Sequence, residues 1–491
     1  MKNLKIVGKI DLDEYMRGSR AGWKKSFFKI LSIDCSFYNC PPIKFDFGEA
    51  SVANDSRGGY FTLFLGKNGV CKSSLLRELI DFIIDVRSPY PRSRWRKSHV
   101  SIQSMKYVID DDVYEIKNAV KGYSLQKNNN DVTIDGMKFP LIIASTMGIF
   151  DKFPVNKPDR NTRYNRTISS RYDLKYYHYV GPKANNNLFA SKSNVILQQL
   201  LALTSIKNDD QLKLIGGILD FMGYEPMVVF HFSSWGEHRD KTTDVTWSQD
   251  VKRLYESIQR GYCSFDMKFD DDLSNGDKMV LLRSLNILWQ NGYLRGLKCY
   301  FMDKNNQLVD SDYFSSGEFN LLCIVMSVVL AGDSQHLLVL LDEPEISQHP
   351  NWQLDLIPNL EKALSDYGCH FLIATHCHFL VSNLPINRSN VICMSRNSDS
   401  INNIITANSI PSDTYGWSAE EVLLKAFGVP TDRNRYLAQM VSDFLKRIGS
   451  GVIDDCELNR DLEFFKSTAG HLNESDPLKK ILDTIIKELN K

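Results

Sequence analysis

Apolar runs along the chain alternate between spacings typical of strands and of helices. Continuous apolar runs flanked by turn residues predict buried strands at 60–65, 141–144, 337–341, 370–374 and 390–394. Apolar residues at helical spacing predict helices at 72–86, 317–331, 350–366 and 377–383. Because strands and helices alternate, the pattern indicates an α/β fold with a largely parallel sheet.

Two regions depart from this alternation. Residues 195–300 have mainly helical spacing, interrupted by one β-like run at 227–232. The tail, 415–491, also has helical spacing and balanced charge. These regions predict a helical insertion in the α/β core and a small helical C-terminal region.

Composition narrows the functional classes. The 491-residue chain contains 59 Lys and Arg and 59 Asp and Glu, so no net charge attracts nucleic acid or a membrane. Its ten cysteines are scattered, which predicts reduced thiols and neither disulfides nor a zinc site. The longest apolar run, 321–332, is shorter than the roughly 18 residues of a membrane span. We expect a cytoplasmic protein without membrane contact.

A glycine-rich turn follows the strand at 60–65. Backbone N–H groups in such a turn face phosphate oxygens at the start of the next helix. Lys72 would reach the β- and γ-phosphates, and the Ser73 hydroxyl would bind Mg²⁺. Cys71 stands where the phosphate-loop pattern has glycine, and its side chain would crowd the phosphates or alter the backbone. The candidate nucleotide-binding residues here are Gly66, Asn68, Gly69, Val70, Cys71, Lys72, Ser73 and Ser74.

Two adjacent carboxylates end the apolar strand at 336–341. Asp342 is a candidate Mg²⁺ ligand, and Glu343 a candidate general base that polarises the attacking water. The alternative interpretation is a solvated turn after a strand, since Asp-Glu pairs are common.

Two further segments gain meaning from their order. Ser315, Ser316, Gly317 and Glu318 open a helix just before this strand, a pattern that is usually a helix cap. His376 follows the next buried strand, where a lone histidine is usually structural. Together with the phosphate loop and the acidic strand end, in this order, the set is highly specific.

The segments GKNGVCKS, FSSGE, LLVLLDEPE and ATHCHFL resemble the motifs of ABC-type ATPases, in particular the soluble RecF/SMC/OLD-like class. The resemblance implies that Lys72 and Ser73 belong to Walker A and that Asp342 and Glu343 form Walker B. It implies that His376 is the switch histidine and that 315–318 is the signature. ATP with Mg²⁺ would then lie between two protomers of a homodimer or higher oligomer.

The same resemblance implies four parts of the chain. They are a first core segment with the phosphate loop at 1–194, a mainly helical insertion at 195–309, a second core segment at 310–410 and a helical region at 411–491. The family places a metal-contacting residue near Ser145 and Thr146, but the sequence selects none.

Longer patterns resemble a narrower family. Residues 142–154, 179–183 and 414–434 look like segments of the bacterial anti-phage defence ATPases of Septu systems, the PtuA family, including retron-associated forms. In that family the ATPase pairs with a separate HNH nuclease. This chain contains no nuclease motif of the TOPRIM or HNH type, so a nuclease would be another chain.

Two basic clusters with interleaved aromatic residues, Arg87–Lys97 and Arg160–Lys175, are candidate contacts for nucleic acid. Because the whole chain is neutral, a solvated surface or a protein interface is the favoured interpretation. Three functions remain open: an ATP-hydrolysing regulator of a partner nuclease, a DNA repair or recombination ATPase resembling RecF, and a scaffold that binds ATP without turnover because Cys71 impairs hydrolysis.

Overall fold

The protein is described by a computed structural model. The described residues are 27–38, 40–48, 59–87, 99–119, 122–146, 148, 152–155, 176–181, 183–185, 188–189, 191–203, 209–234, 248–259, 263–269, 276–290, 293–330, 336–346, 348–364, 367–397, 404–410, 414–418, 421–422, 425, 440–441, 443–444, 446–447, 455–471 and 477–489. The chain divides into two compact units, Met1–Val422 and Leu423–Lys491.

The secondary structure alternates as the apolar pattern indicates. The strands are β1 (Phe28–Phe37), β2 (Ile43–Asp46), β3 (Tyr60–Leu65), β4 (Val100–Ile109), β5 (Asp112–Ala119), β6 (Gly122–Lys127), β7 (Asn130–Asp131), β8 (Leu141–Thr146), β9 (Tyr177–Val180), β10 (Lys183–Asn185), β11 (Leu188–Phe189), β12 (Tyr224–Ser234), β13 (Cys263–Lys268), β14 (Leu294–Asp303), β15 (Leu308–Asp310), β16 (His336–Asp342), β17 (Gly368–Thr375), β18 (Ser389–Asn397) and β19 (Ile404–Ser409). The α-helices are α1 (Lys72–Arg87), α2 (Lys192–Ala202), α3 (Asp209–Phe221), α4 (Gln249–Gln259), α5 (Gly276–Gln290), α6 (Ser316–Leu330), α7 (Pro350–Ala363), α8 (His378–Ser382), α9 (Asp455–His471) and α10 (Pro477–Leu489).

A seven-stranded sheet forms the centre of the first unit, in the order β19-β18-β3-β17-β16-β8-β9. Every neighbouring pair is parallel except β18 and β19. The central strands β16 and β17 are buried almost throughout, which explains their continuous apolar runs. Their carboxyl ends therefore meet at one edge of the sheet. The predicted α/β class is confirmed.

An antiparallel sheet with the order β2-β1-β4-β5-β6-β7 packs on this centre through a shared apolar core that includes α1. A buried polar contact joins the two sheets. Nδ1 of His370 on β17 accepts from the backbone N–H of Ile30 on β1 at 2.9 Å, and its Nε2 lies 3.0 Å from the Thr62 hydroxyl on β3. Since Nδ1 accepts, neutral His370 carries its proton on Nε2.

The insertion at 195–309 contains strands as well as helices. Besides helical turns of α2 and the whole of α3, α4 and α5, it holds most of an antiparallel sheet ordered β13-β12-β14-β15. The β-like run at 227–232 lies within β12, whose alternate residues Val228, Phe230 and Phe232 are buried. Helices α3 and α4 contact β12, so helical and strand segments alternate in this part of the chain.

The second unit contains α9 and α10, which pack on each other around a small apolar cluster that includes Phe444, Phe465 and Leu482. Every helix in the described part of the chain is too short or too polar to cross a lipid bilayer. Eight cysteines whose side chains the structure describes are free thiols: Cys35, Cys40, Cys71, Cys299, Cys323, Cys369, Cys377 and Cys393.

Candidate nucleotide-binding site

The phosphate loop joins β3 to α1 in the predicted strand-turn-helix arrangement. Gly66 has φ +152°, and a Cβ there would lie 2.2 Å from the Met394 carbonyl oxygen, so no side chain fits. Gly69 has φ +84° and is exposed with Asn68 at the tip of the turn. Val70 packs into the core and anchors the loop.

Cys71 has a backbone φ of 69°, in the left-handed region that favours glycine. The departure from the phosphate-loop pattern therefore falls at a position where the backbone keeps the conformation of the expected glycine. Burial raises the pKa of the thiol, which keeps it protonated.

Lys72 begins α1 and its side chain is buried. Its ammonium donates to the Gly66 carbonyl at 2.7 Å and contacts Nε2 of His376 at 2.9 Å. Burial lowers the pKa of Lys72 to about 8, while the nearby Glu343 and Asp342 carboxylates act in the opposite direction. An ammonium has no lone pair, so His376 Nε2 must accept and its proton lies on Nδ1.

Ser73 and Asp342 connect the phosphate loop with the acidic strand end. The Ser73 hydroxyl donates to Asp342 Oδ1 at 2.8 Å. Asp342 ends β16 opposite Ala374 of β17 and Thr146 of β8, so the parallel register brings it to the loop.

These two oxygen ligands suit Mg²⁺, which prefers oxygen and is often held by one carboxylate together with substrate phosphates. Within the described residues, no group of three or more His, Cys, Asp or Glu could hold a metal without a substrate. The Ser73 hydroxyl and the Asp342 carboxylate fit a metal that also binds the phosphates of a nucleotide.

Glu343 follows Asp342 but faces a different partner. Its backbone has φ 50°, and its N–H donates to the Ala374 carbonyl at 2.8 Å. Its Oε1 lies 3.4 Å from His376 Nε2, and about a third of its side chain is exposed. Burial, followed by the charge of Lys72, lowers the pKa of His376, so the imidazole is neutral near pH 7.

Glu345 is a site residue that the sequence reasoning missed. Its Oε1 accepts from the Thr375 hydroxyl at 2.6 Å and from the backbone N–H of His376 at 2.8 Å. Burial raises the pKa of this carboxyl. Glu345 thus ties the acidic turn to the Thr375 side chain and to the backbone of His376. The signal was the second glutamate of DEPE, which the sequence reasoning treated only as part of the motif.

The signature segment forms a capping box at the start of α6. The Ser315 hydroxyl accepts from Glu318 N–H at 3.2 Å, and Glu318 Oε2 accepts from Ser315 N–H at 2.7 Å. Ser315 is exposed, Ser316 is half-buried, and Gly317 lies under the indole of Trp352.

Among the residues that the structure describes, no hydrogen bond of 315–318 reaches the phosphate loop. Beyond the segment and α6, the partner is Tyr224, whose hydroxyl lies 3.4 Å from Glu318 Oε1. The structure therefore brings together the phosphate loop, Asp342, Glu343 and His376, but leaves the signature apart from them.

Of the first basic cluster, Arg87 is described. Its guanidinium lies 3.9 Å from the Tyr176 ring centroid and donates to the Pro140 carbonyl at 3.1 Å. Burial lowers its pKa to about 10. Arg87 is half-buried and held by these contacts, and nucleic-acid binding by this cluster stays a prediction. Residues 88–97 of this cluster lie outside the described residues, and so does the whole second cluster, Arg160–Lys175.

Parts of this chain are similar to known proteins. The Septu protein PtuA of Bacillus thuringiensis is 24% identical over 148 residues, which are 30% of this chain and 34% of that protein. The chain therefore matches about a third of the length of this relative. An Smc head domain with an extended coiled coil, bound to the C-terminal domain of ScpA and derived from Pyrococcus furiosus, matches at 12% identity over 78% of this chain and 96% of that chain, with a TM-score of 0.32. The SMC head domain from Thermotoga maritima matches at 11% identity over 78% of this chain and 100% of that chain, with a TM-score of 0.31. Scores of this size do not establish a shared fold.

A family model described as an AAA ATPase domain matches residues 114–381. The matched range contains the signature segment, Asp342, Glu343 and His376, and begins after the phosphate loop. Because the match covers more than half of the chain, this protein belongs to the AAA ATPase domain family.

Proposed function

We propose that this chain binds ATP with Mg²⁺ at residues 66–74 and hydrolyses it, as the ATPase of a bacterial anti-phage defence system that acts with a separate nuclease of the HNH type. The observation that carries the ATPase proposal is the 2.8 Å contact between Ser73 and Asp342. It joins the two motifs that the chemistry of ATP requires, from segments 269 residues apart in sequence.

The loop supplies the positive groups for a triphosphate. The ammonium of Lys72 donates a hydrogen bond to the Gly66 carbonyl. With a nucleotide bound, phosphate oxygens would accept from the ammonium in place of this carbonyl. The buried setting strengthens its attraction for phosphate, because little water screens the charge. Ser73 and Asp342 would hold Mg²⁺, which would offset charge on the phosphates during transfer.

Hydrolysis needs a base beside the terminal phosphate. The Glu343 carboxylate would accept a proton from the attacking water, and its exposed fraction leaves room for that water. His376 is neutral, and its Nε2 lies next to both Lys72 and Glu343, so this nitrogen would accept a hydrogen bond near the terminal phosphate.

The signature segment would act on the nucleotide of a second copy. Ser315, Ser316, Gly317 and Glu318 start a helix whose N-terminus suits an anion, and in their own chain they do not bond the phosphate loop in the described residues. If ATP lies between two protomers, this segment would contact the phosphates of the nucleotide that the second protomer binds.

The defence role is supported by the similarity to PtuA and by the longer sequence patterns. It predicts a partner, because the sequence contains no nuclease motif. Co-expression with a nuclease encoded beside this chain should protect cells from phage, and Glu343→Gln should change that protection without lowering the amount of either protein. Protection unchanged by Glu343→Gln and by Lys72→Ala would contradict an ATP-dependent defence role.

The ATPase proposal is tested by ATP affinity and phosphate release. Lys72→Ala should weaken ATP binding at least tenfold, because it removes the buried charge facing the phosphates. Glu343→Gln should keep the affinity and reduce turnover by about a hundredfold or more, as expected for a lost general base. Lys117→Ala is a matched control, since Lys117 is an exposed lysine on β5 that pairs with Glu115. Equal ATP affinity in the wild type and Lys72→Ala would refute the phosphate-loop assignment.

A further inference from the structure

A second lysine lies beside the phosphate loop, in the segment that follows β8. The ammonium of Lys152 donates to the Ser74 hydroxyl at 2.9 Å. Ser74 is the neighbour of Ser73 in the first turn of α1. Lys152 is more than 75 residues from this turn in sequence, so tertiary structure alone places it here.

The backbone of Lys152 is fixed from the α1 side. The Arg77 guanidinium donates to the Lys152 carbonyl oxygen and also forms an ion pair with Asp81 at 2.9 Å. Asp81 is 1% exposed, so this pair is held inside the fold. Both Arg77 and Asp81 lie on α1, and the lysine is therefore tied to the same helix that carries Ser73 and Ser74.

The following residues fix the segment from the sheet side. Phe153 is 2% exposed and belongs to the core, and the Tyr177 hydroxyl donates to the Pro154 carbonyl at 2.7 Å. Because these contacts use the backbone and neighbouring side chains, the Lys152 side chain is not needed to hold the segment.

The charge of Lys152 is available for a ligand. Its side chain is exposed, and no carboxylate in the described part of the chain pairs with it. Burial raises the pKa of the Cys71 thiol, and the charge of Lys152 acts in the opposite direction.

Lys152 and Lys72 contact different parts of the loop and its helix. Lys72 bonds Gly66 and His376, beside the base candidate Glu343. Lys152 bonds Ser74, which follows the Mg²⁺ candidate Ser73 along the helix. A phosphate chain on the loop would therefore have one lysine at its reacting end and the other along its remaining part.

We propose that Lys152 is a second phosphate-binding residue, which holds the non-reacting part of the nucleotide's phosphate chain from the Ser74 side. This inference rests on the proposed function of the loop. It predicts that Lys152 contributes to the binding of ATP and ADP alike, since both contain that part of the chain, and contributes little to the hydrolysis step.

The test compares Lys152→Ala, Lys152→Arg and the control Lys117→Ala in the full chain. Lys152→Ala should raise the Kd of both ATP and ADP about tenfold, a size typical of one lost charged contact. Turnover at saturating ATP should stay within about twofold, and Lys152→Arg should restore most of the affinity. The effect should shrink at high salt because the contact is ionic.

Melting temperatures without nucleotide separate binding from folding. They should be equal for the wild type and Lys152→Ala. A lower melting temperature in Lys152→Ala that matches the loss seen in Ser74→Ala, with no rescue by arginine, would overturn the inference in favour of a structural role. Reduced turnover with unchanged Kd would also overturn it, because Lys152 would then act at the reacting end.

The outcome distinguishes this inference from the proposed function. If the wild type binds ATP in a Lys72-dependent manner while Lys152→Ala binds ATP and ADP as the wild type does, only the role of Lys152 is wrong. If the wild type binds neither nucleotide, the proposed function itself is wrong.

Discussion

The backbone at Cys71 allows a sharp test of the phosphate loop. We predict that Cys71→Gly is more stable in this loop than Cys71→Ala. Both substitutions remove the half-buried thiol, so the loss of its packing cancels in the comparison. The two variants differ in the free-energy cost of holding residue 71 at φ 69°.

The magnitude follows from two opposing terms. A residue with a Cβ in the left-handed region costs roughly 1–2 kcal/mol, and glycine avoids this cost. Glycine also gives the unfolded chain more freedom, which costs about 0.4–1 kcal/mol relative to alanine. The net difference is about 1 kcal/mol in favour of Cys71→Gly, or about a fivefold change in an equilibrium constant.

Hydrogen exchange of the amides in 66–80 measures this difference where it arises, because it reports the local opening of the loop and the first turns of α1. Exchange through local opening should be about fivefold slower in Cys71→Gly than in Cys71→Ala, while amides in β4 remain unchanged. ATP affinity in Cys71→Gly should equal or exceed that of the wild type. Equal or faster exchange in Cys71→Gly would show that the left-handed backbone carries no strain, and the reasoning would fail.

Two further predictions concern the packing around the site. A Cβ on Gly317 would lie 2.9 Å from Cε3 of Trp352, so Gly317→Ala should lower the free energy of unfolding by about 1–2 kcal/mol through overpacking. In a Trp352→Leu background the same substitution should cost nothing. Denaturant unfolding of the wild type, the two single variants and the double variant measures both costs, and equal costs in the two backgrounds would contradict the prediction. Burial lowers the pKa of His370 well below its usual value. Below about pH 6.5 the histidine of the unfolded chain therefore takes up a proton, whereas that of the folded chain does not. As the pH falls, His370 should reduce the free energy of unfolding by up to about 1.4 kcal/mol per pH unit. The unfolding free energies of the wild type and His370→Gln, measured from pH 7 to pH 5, should show this extra loss in the wild type, and parallel profiles would refute it.

The sequence predicted the centre of the fold because each central strand is buried on both faces and stands out as an apolar run. The predicted strand at 60–65 is β3, and the predicted helix from Lys72 is α1. Parallel pairing then places the ends of β3, β16 and β17 together. The contact between Ser73 and Asp342 can therefore be predicted from the two sequence motifs and the parallel pairing of the strands before them.

Other contacts could not be predicted because they depend on tertiary packing. Lys152 lies in a loop whose sequence does not predict a contact with Ser74. Its position depends on contacts of the loop with Arg77 and Tyr177, which lie in other elements. The sheet of the insertion was mostly missed for a related reason. β13 and β14 adjoin strongly helical sequence, and their pairing with β12 is a long-range choice.

The adjacent carboxylates Asp342 and Glu343 have separate partners because the strand ends between them. Asp342 continues the pairing of β16 and bonds Ser73, whereas Glu343 has φ 50° and turns its side chain to His376. In an extended strand, successive side chains would point to opposite faces of the sheet, and both could not line one edge. The left-handed backbone thus separates a candidate metal ligand from a candidate base within two residues. A non-glycine residue in this conformation costs roughly 1–2 kcal/mol, and the hydrogen bond from Glu343 N–H to Ala374 helps to hold it. Such strain persists where the surrounding fold fixes it, which favours a functional reason for the geometry at Glu343.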